Sequence, residues 1–347
     1  MSILTASETP STRTNGVAQA ARLGPGVVVA AGGAGIGLLA AHLTDVSSML
    51  VAIVIGAVLA NSGVLPESTA PGLAVVGKRV LRVGVALLGL QLVLGDIVAL
   101  GAGMIGVIVS VVSVGILSTL FIGRWLGIGL TQRLLIACGF SICGAAAVAA
   151  ADGVIEADES EAASAIGLVV LFGTMMIPVI PLAGQLVGMP DHEIGLWAGA
   201  SIHEVAQVVA AGGTIGGAAL SAAVLVKLGR VLMLAPVLAV VSLWMRRRTG
   251  LGATSAQASR PPVVPLFVTA FLALALLRST GVVPESIVGG VHLAQSVALT
   301  MAMFSLGCGV RVAALRRGGA KPLVLAALST VVVASTALAG ITLLATP

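Results

Sequence analysis

Tyrosine is absent from this chain, and six Phe with three Trp are all the aromatic residues among 347. Charge is equally scarce. Asp, Glu, Lys and Arg make up 9% of the residues, where a soluble domain carries roughly 25%. A water-facing surface of ordinary extent cannot be built from so few charges, so a soluble enzyme is excluded and a lipid-facing surface is implied. The three cysteines, Cys138, Cys143 and Cys308, form no CxxC pair and sit inside apolar runs. An odd number so placed reads as free thiols within helices and not as a disulfide framework.

Working nucleotide and metal motifs are also missing. Gly72 to Lys78 has P-loop glycine spacing, but Arg79 stands where Ser or Thr would hold Mg²⁺. Gly101-x-Gly103-xx-Gly106 lies inside an apolar run with no βαβ context. His203-Glu204-xx-Gln207 lacks the second histidine of a zinc-binding HExxH. No metal, no cofactor and no ATP-driven step are therefore expected. The net charge of +5 comes from short Lys/Arg clusters between apolar runs and not from one basic face, which excludes nucleic acid.

What the chain does have is apolar residues, 58% of the total, and 45 glycines. Small-residue spacings such as Gly33-xxx-Gly37, Gly123-xxx-Gly127 and Gly213-xxx-Gly217 suit helices that approach closely in lipid. A span needs about 20 mainly apolar residues. Eleven runs approach that length: Gly26–Ala41, Val46–Asn61, Val80–Leu94, Ile97–Ile122, Leu134–Ala151, Ala162–Val187, Ile194–Gly212, Ala218–Met245, Pro265–Leu277, Ile287–Val310 and Pro322–Leu344. The expected fold is an all-α polytopic membrane protein of about eleven segments. Residues 1–22 read as a disordered cytoplasmic tail ahead of one transmembrane domain, residues 23–347. The long polar lead and the lack of a clear cleavage motif argue against a signal peptide.

Loop charges set an expected topology. With the N-terminus inside, cytoplasmic loops carry Lys78, Arg79 and Arg82; Arg124 and Arg133; Arg246, Arg247, Arg248 and Arg260; and Arg311, Arg316, Arg317 and Lys321. The other side then receives Asp45, Asp96 and the acidic stretch Asp152–Glu161, with Arg278 as the one offender. The chain also repeats itself. Gly63-Val64-Leu65-Pro66-Glu67-Ser68 recurs as Gly281-Val282-Val283-Pro284-Glu285-Ser286, and Leu88-Gly89 falls on Leu306-Gly307 at the same offset. The related halves, about 26–151 and 194–345, are separated by an odd number of crossings and are therefore inverted, as in many secondary transporters. A second likeness joins Gly139-Phe140-Ser141-Ile142-Cys143-Gly144 to Gly199-Ala200-Ser201-Ile202-His203-Glu204. With every segment crossing, these two would be parallel. Either the likeness is one of local chemistry, or a segment is re-entrant.

Ionisable side chains in mid-membrane are costly and mark function by default. His203 and Glu204 lie midway along the seventh run with Gln207 one turn on, and Lys227 and Arg230 share a face of the eighth. Glu204 and His203 are candidates for proton coupling, since free histidine ionises near neutral pH. A structural ion pair of Glu204 with Lys227 or Arg230 is the plainer alternative. In the fifth run, Ser141, Cys143 and Gly144 sit where glycine can open a helix and free backbone amides for a buried anion. With Ser201, His203, Gln207, Lys227 and Arg230 they make the candidate substrate site. Close helix packing through small residues is the competing reading.

Ser201 to Gly212 (SIHEVAQVVAAG), Lys227 to Pro236, Cys138 to Val148 and Arg82 to Leu90 resemble the YeiH-type family of proposed sulfate exporters. The likeness runs from about Gly26 to the C-terminus, and Phe140 departs from it where a small residue is expected. The resemblance implies a bacterial inner-membrane protein with inverted repeats that exports sulfate or a related sulfur oxyanion. The resulting expectation is a secondary transporter of a small anion, proton coupling included, that is not an enzyme and whose partners are the anion and membrane lipid. Homo-oligomerisation stays open. An anion channel of the same fold, or an intramembrane hydrolase built on His203 and Glu204, are the alternatives.

Overall fold

The computed structural model describes residues 12–43, 48–155, 157–248, 266–310 and 319–345, and within them the regular structure is entirely helical. In chain order the helices are α1 (Thr12–Leu43), α2 (Ser48–Ser62), α3 (Ala70–Val75), α4 (Leu81–Leu87), α5 (Leu94–Ala99), α6 (Gly101–Trp125), α7 (Leu130–Cys138), α8 (Ala145–Ile155), α9 (Glu159–Val187), α10 (Asp191–Ser201), α11 (Val205–Ile215), α12 (Gly217–Leu232), α13 (Leu234–Arg248), α14 (Leu266–Ser279), α15 (Glu285–Gly309) and α16 (Ala320–Ala345). A π-turn, Val76–Val80, joins α3 to α4, and another, Gly139–Cys143, extends α7. Helix α1 starts inside the stretch expected to be a tail. Asp45, Arg260, Arg311, Arg316 and Arg317 lie outside the described residues.

Among the described residues, six helical stretches are long and apolar enough to cross a membrane, one of them being α12 continued into α13. The other apolar runs are built from shorter helices. All eleven expected runs are present, but two of them do not cross. A Cβ on Gly139 would lie 2.9 Å from Val169, and one on Gly129 would lie 3.7 Å from the Glu161 carboxylate. Helices α7 and α9 are therefore parallel, with their starts side by side. Helix α8, which feeds α9 through a short turn, must return to the face from which α7 came. The seventh run behaves alike. Gly195 and Gly199 of α10 abut the backbones of Ala219 and Ala223 in the parallel α12, and Gly212 of α11 abuts Leu220. So α7–α8 and α10–α11 are re-entrant hairpins, entering from opposite faces, with tips at Gly144 and at Ile202–Glu204.

This arrangement corrects one expectation. The stretch Asp152–Glu161 lies on the same face as the basic residues, because Gly153 is beside Arg82 and Glu161 beside Gly129. Lys and Arg counts decide orientation while acidic residues contribute little, so the acidic stretch was a poor guide. The face carrying Arg82, Arg124, Arg133 and the start of α14 is called the basic face below.

The inverted repeat is visible in exchanged contacts. Gly63 and Gly281 both hold positive φ (73° and 74°), and so do Gly101 and Gly319 (82° and 77°). Leu92 N donates to Gly89 O (3.1 Å), and Val310 N to Gly307 O (2.9 Å). Gly89 presses against Phe271 O and Ala275 N of α14, while Gly307 presses against Ile53 O and Ala57 N of α2. Phe271 and Ala275 are the repeat mates of Ile53 and Ala57, so each half packs on the other through the same residues. Helices α6 and α16 cross antiparallel at Gly115 and Val333, which are also mates. A two-fold axis that relates antiparallel spanning helices lies in the membrane plane. The second unit carries its hairpin and next span (α10–α13) ahead of α14–α16, whereas the first carries them (α7–α9) after α2–α6.

Two helix groups result. Helices α1–α4, α14 and α15 pack together, and α6–α12 with α16 form the other group around both hairpins. The hairpin tips face the seam between them.

Candidate functional site

A hairpin tip in mid-membrane creates a specific problem. The last carbonyls of α7 with its π-turn, and of α10, have no helical partner, and no bulk water reaches them. Lys227 and Arg230 of α12 meet that need. Lys227 Nζ donates to the carbonyls of Ile142 (3.0 Å), Ile202 (2.8 Å) and His203 (2.5 Å). The Arg230 guanidinium donates to Phe140 (3.0 Å), Ser141 (3.2 Å), Ala200 (2.8 Å), Ile202 (3.0 Å) and Gly199 (3.4 Å). Both side chains are fully buried. Placed three residues apart on one face, they stitch the C-terminal ends of both first half-helices together, where positive charge also suits the helix dipole.

The second half-helices present the opposite end. Glu204 is the N-cap of α11, in a capping box with Gln207 in which Glu204 N donates to Gln207 Oε1 (3.1 Å). The same carboxylate reaches across the tips, where Ala145 N at the start of α8 donates to Glu204 Oε1 (2.9 Å). Two helix N-termini thus converge on one carboxylate, an arrangement that favours a negative group. Gly144 makes it sterically feasible, since a Cβ there would collide with Glu204 Cγ, and its φ of 76° and ψ of −136° suit only glycine.

His203 is held on both sides. Its Nδ1 lies 3.1 Å from Phe140 O and its Nε2 3.1 Å from Thr330 Oγ1. A carbonyl only accepts, so Nδ1 carries a proton; this assignment rests on the partners. Thr330 can give its hydroxyl hydrogen to Nε2 or to Ala326 O (2.9 Å), which lets the ring be satisfied either neutral or protonated. The Phe140 ring packs on His203 with centroids 4.4 Å apart.

Beside the tips lies a cavity of about 40 Å³ whose polar lining comes from Glu204 and Cys143. One wall carries Leu81 and Val85 of α4 opposite their repeat mates Leu299 and Met303 of α15. The other carries Ala146 and Ala206, which are equivalent positions of the two hairpins. The cavity therefore sits on the pseudo-two-fold axis, at the seam of the two helix groups. It is water-sized.

The sequence profile of a family described as conserved hypothetical protein 698 matches residues 25–326. A UPF0324 membrane protein of Corynebacterium glutamicum is 50% identical over 317 residues, covering 91% of each chain. Another from Pseudomonas aeruginosa is 38% identical over 339 residues, covering 91% of this chain and 93% of its own. One from Bacteroides thetaiotaomicron is 34% identical over 287 residues, covering 81% and 85%. The chain belongs to the UPF0324 family of membrane proteins. No solved structure matches it. The family agrees with the YeiH-type resemblance, and these relatives' names specify a membrane protein without a substrate.

Within this UPF0324 fold, the expected site residues divide. Cys143 and Glu204 line the cavity, Gly144 shapes it, and His203 and Gln207 bracket Glu204. Lys227 and Arg230 do not point into it, because backbone carbonyls take every donor of the lysine and all but one of the arginine's. Ser201 Oγ donates to Trp197 O (2.5 Å) within its own helix. Ser141 Oγ is buried without a hydrogen-bond partner and faces Gly115 of α6, away from the cavity. The apolar wall of α4 and α15 escaped sequence reading, although the Leu81–Leu299 and Val85–Met303 register was contained in the repeat.

Proposed function

We propose that this membrane protein is a secondary transporter of a small anion, with sulfate and related sulfur oxyanions or sulfonates as the substrate class. The observation that supports this reading best is the convergence of two helix N-termini on Glu204, at a cavity on the seam between two helix groups. The buried cluster holds two cationic side chains, Lys227 and Arg230, against the single carboxylate of Glu204. With Glu204 ionised, its own carboxylate fills the place of the anion. Protonation removes that charge, and an incoming oxyanion takes over the amides of Ala145 and Gln207. Anion binding and proton binding are thus linked. His203, satisfied in either protonation state, is the second group able to carry the proton. Movement of one helix group along the seam would then expose the site to alternate faces. The basic face is read as the cytoplasmic face of a bacterial inner membrane, with export as the direction.

An intramembrane hydrolase has less support. His203 Nε2 does lie against a hydroxyl, that of Thr330, but its Nδ1 is oriented by the Phe140 carbonyl and not by a carboxylate, and neither His203 nor Thr330 lines the cavity. The deciding experiment is uptake of labelled sulfate, sulfite, thiosulfate and an alkanesulfonate into proteoliposomes under an imposed pH gradient. Wild-type protein should accumulate at least one of them in response to the gradient, and Glu204→Gln should bind it but not accumulate it. Absence of uptake for every anion, with folded protein in the liposomes, would overturn the reading.

A further inference from the structure

A second cavity, about 540 Å³, opens on the basic face between α4, α8 and α14. It is of the size that holds small organic ligands. Arg79 and Arg82 supply its charge, and its remaining wall is apolar apart from Gly153, with Phe267, Leu87 and Ala150 prominent. Arg82 stands over the Phe267 ring, its guanidinium carbon 5.8 Å from the centroid. Its Nε is buried and has no hydrogen-bond partner among the described residues. An arginine donor withdrawn from water and left unmatched is costly unless something fills the site.

The repeat sharpens the point. The mates of Arg79 and Arg82 in α15 are Val297 and Thr300, so the fold itself does not demand basic residues there. The cavity also shares its walls with the central one. Helix α4 gives Arg82, Val83 and Ala86 to this cavity and Leu81 and Val85 to the other, while α8 gives Ala149 here and Ala146, one turn nearer the tip, there. The two lie against neighbouring faces of α4, and along α8 this one sits about a turn nearer the basic face.

We infer that this cavity is an access site for an oxyanion carrying an apolar tail, its charged head on Arg79 and Arg82 and its tail along Phe267 and Ala150. Two guanidiniums at one end of an apolar chamber match an alkanesulfonate better than bare sulfate, since the tail buries apolar surface that sulfate cannot. The inference rests on the transporter reading only for the word access; the binding site stands on its own geometry. A phospholipid phosphate has the same chemistry and could come from the bilayer.

Calorimetric titration of the full chain in phosphatidylcholine nanodiscs with hexanesulfonate is the test. Binding should fall at least tenfold in Arg82→Gln, and severalfold in Arg79→Gln, whose exposed position makes misfolding a poor explanation. Sulfate should bind more weakly than hexanesulfonate. The titration needs no gradient, so hexanesulfonate binding that falls in Arg82→Gln supports the site even if no anion is taken up, and absence of uptake with that binding intact overturns the transporter reading alone. Repeating the titration with phosphatidylglycerol in the nanodiscs identifies the source: competition assigns the site to lipid phosphate, and its absence assigns it to a soluble anion. Hexanesulfonate binding unchanged in both arginine variants, or undetectable in the wild type, would overturn the inference.

Discussion

Gly144 and Glu204 hold equivalent positions at the tips of the two hairpins, and the side chain of one occupies the space that the other leaves empty. A symmetric pair of glutamates would place two carboxylates against each other in low dielectric. A symmetric pair of glycines would leave the amides of Ala145 and Gln207 without an acceptor. The asymmetric pair avoids both, and it concentrates the chemistry of two helix N-termini in one titratable group.

Gly144→Ala should therefore be severe for so small a change. The positive φ costs about 1–3 kcal/mol for a non-glycine residue, and the added methyl displaces Glu204 as well. We expect a lower melting temperature and at least tenfold slower anion transport. Gly144→Ala with Glu204→Ala should melt above the sum of the two single effects, because the collision is gone while the backbone strain remains. A single Gly144→Ala variant that melts like the wild type would refute the contact.

Much of this fold is legible in the sequence. Composition gave the membrane class, and the Gly63/Gly281 and Gly89/Gly307 pairs gave the inverted relation, because a turn or a close helix crossing leaves a glycine that survives as text. Re-entrance was not legible. A hairpin of two half-length helices has the same apolar run as one full span, and the turn at Gly144 differs from a packing glycine only in its φ. The partners of Lys227 and Arg230 were hidden for a related reason. Sequence shows a buried charge but not the carbonyls at Phe140–Ile142 and Gly199–His203 that consume it, since backbone acceptors are common to every residue.

Those carbonyls make the basic pair a stability element. Lys227→Met strands the acceptors of Ile142 and His203 and leaves Ile202 O to Arg230 alone, at about 1–3 kcal/mol for each buried unsatisfied group. The protein should lose several kcal/mol of stability by that ~1–3 kcal/mol rule, read as a large drop in melting temperature in detergent. Arg230→Gln should do the same, as a glutamine cannot span from Phe140 to Ala200. A pair of direct substrate ligands would behave differently, losing affinity with little change in melting. If both variants melt within a degree or two of the wild type, the carbonyl-capping account is wrong.

Re-entrance itself has a consequence that chemistry can read from outside. If the fifth run crossed the membrane, Ser160 and Arg124 would lie on opposite faces. As a hairpin it returns, which puts Ser160 at the start of α9 on the face that carries Arg124, and His192 at the start of α10 on the other. All three positions are exposed, and the native cysteines at 138 and 143 are buried. With Cys308 replaced by Ala, single cysteines at Ser160, Arg124 and His192 can be compared in intact cells using a membrane-impermeant maleimide. Arg124→Cys and Ser160→Cys should share one labelling state, blocked if the basic face is cytoplasmic, and His192→Cys should show the other. Labelling that sets Ser160→Cys apart from both Arg124→Cys and His192→Cys would mean that α7–α8 crosses, since α9 spans the membrane between Ser160 and His192. The parallel packing of α7 on α9 through Gly139 and Val169 would then be lost, and with it the meeting of Glu204 with the start of α8 on which the anion site depends.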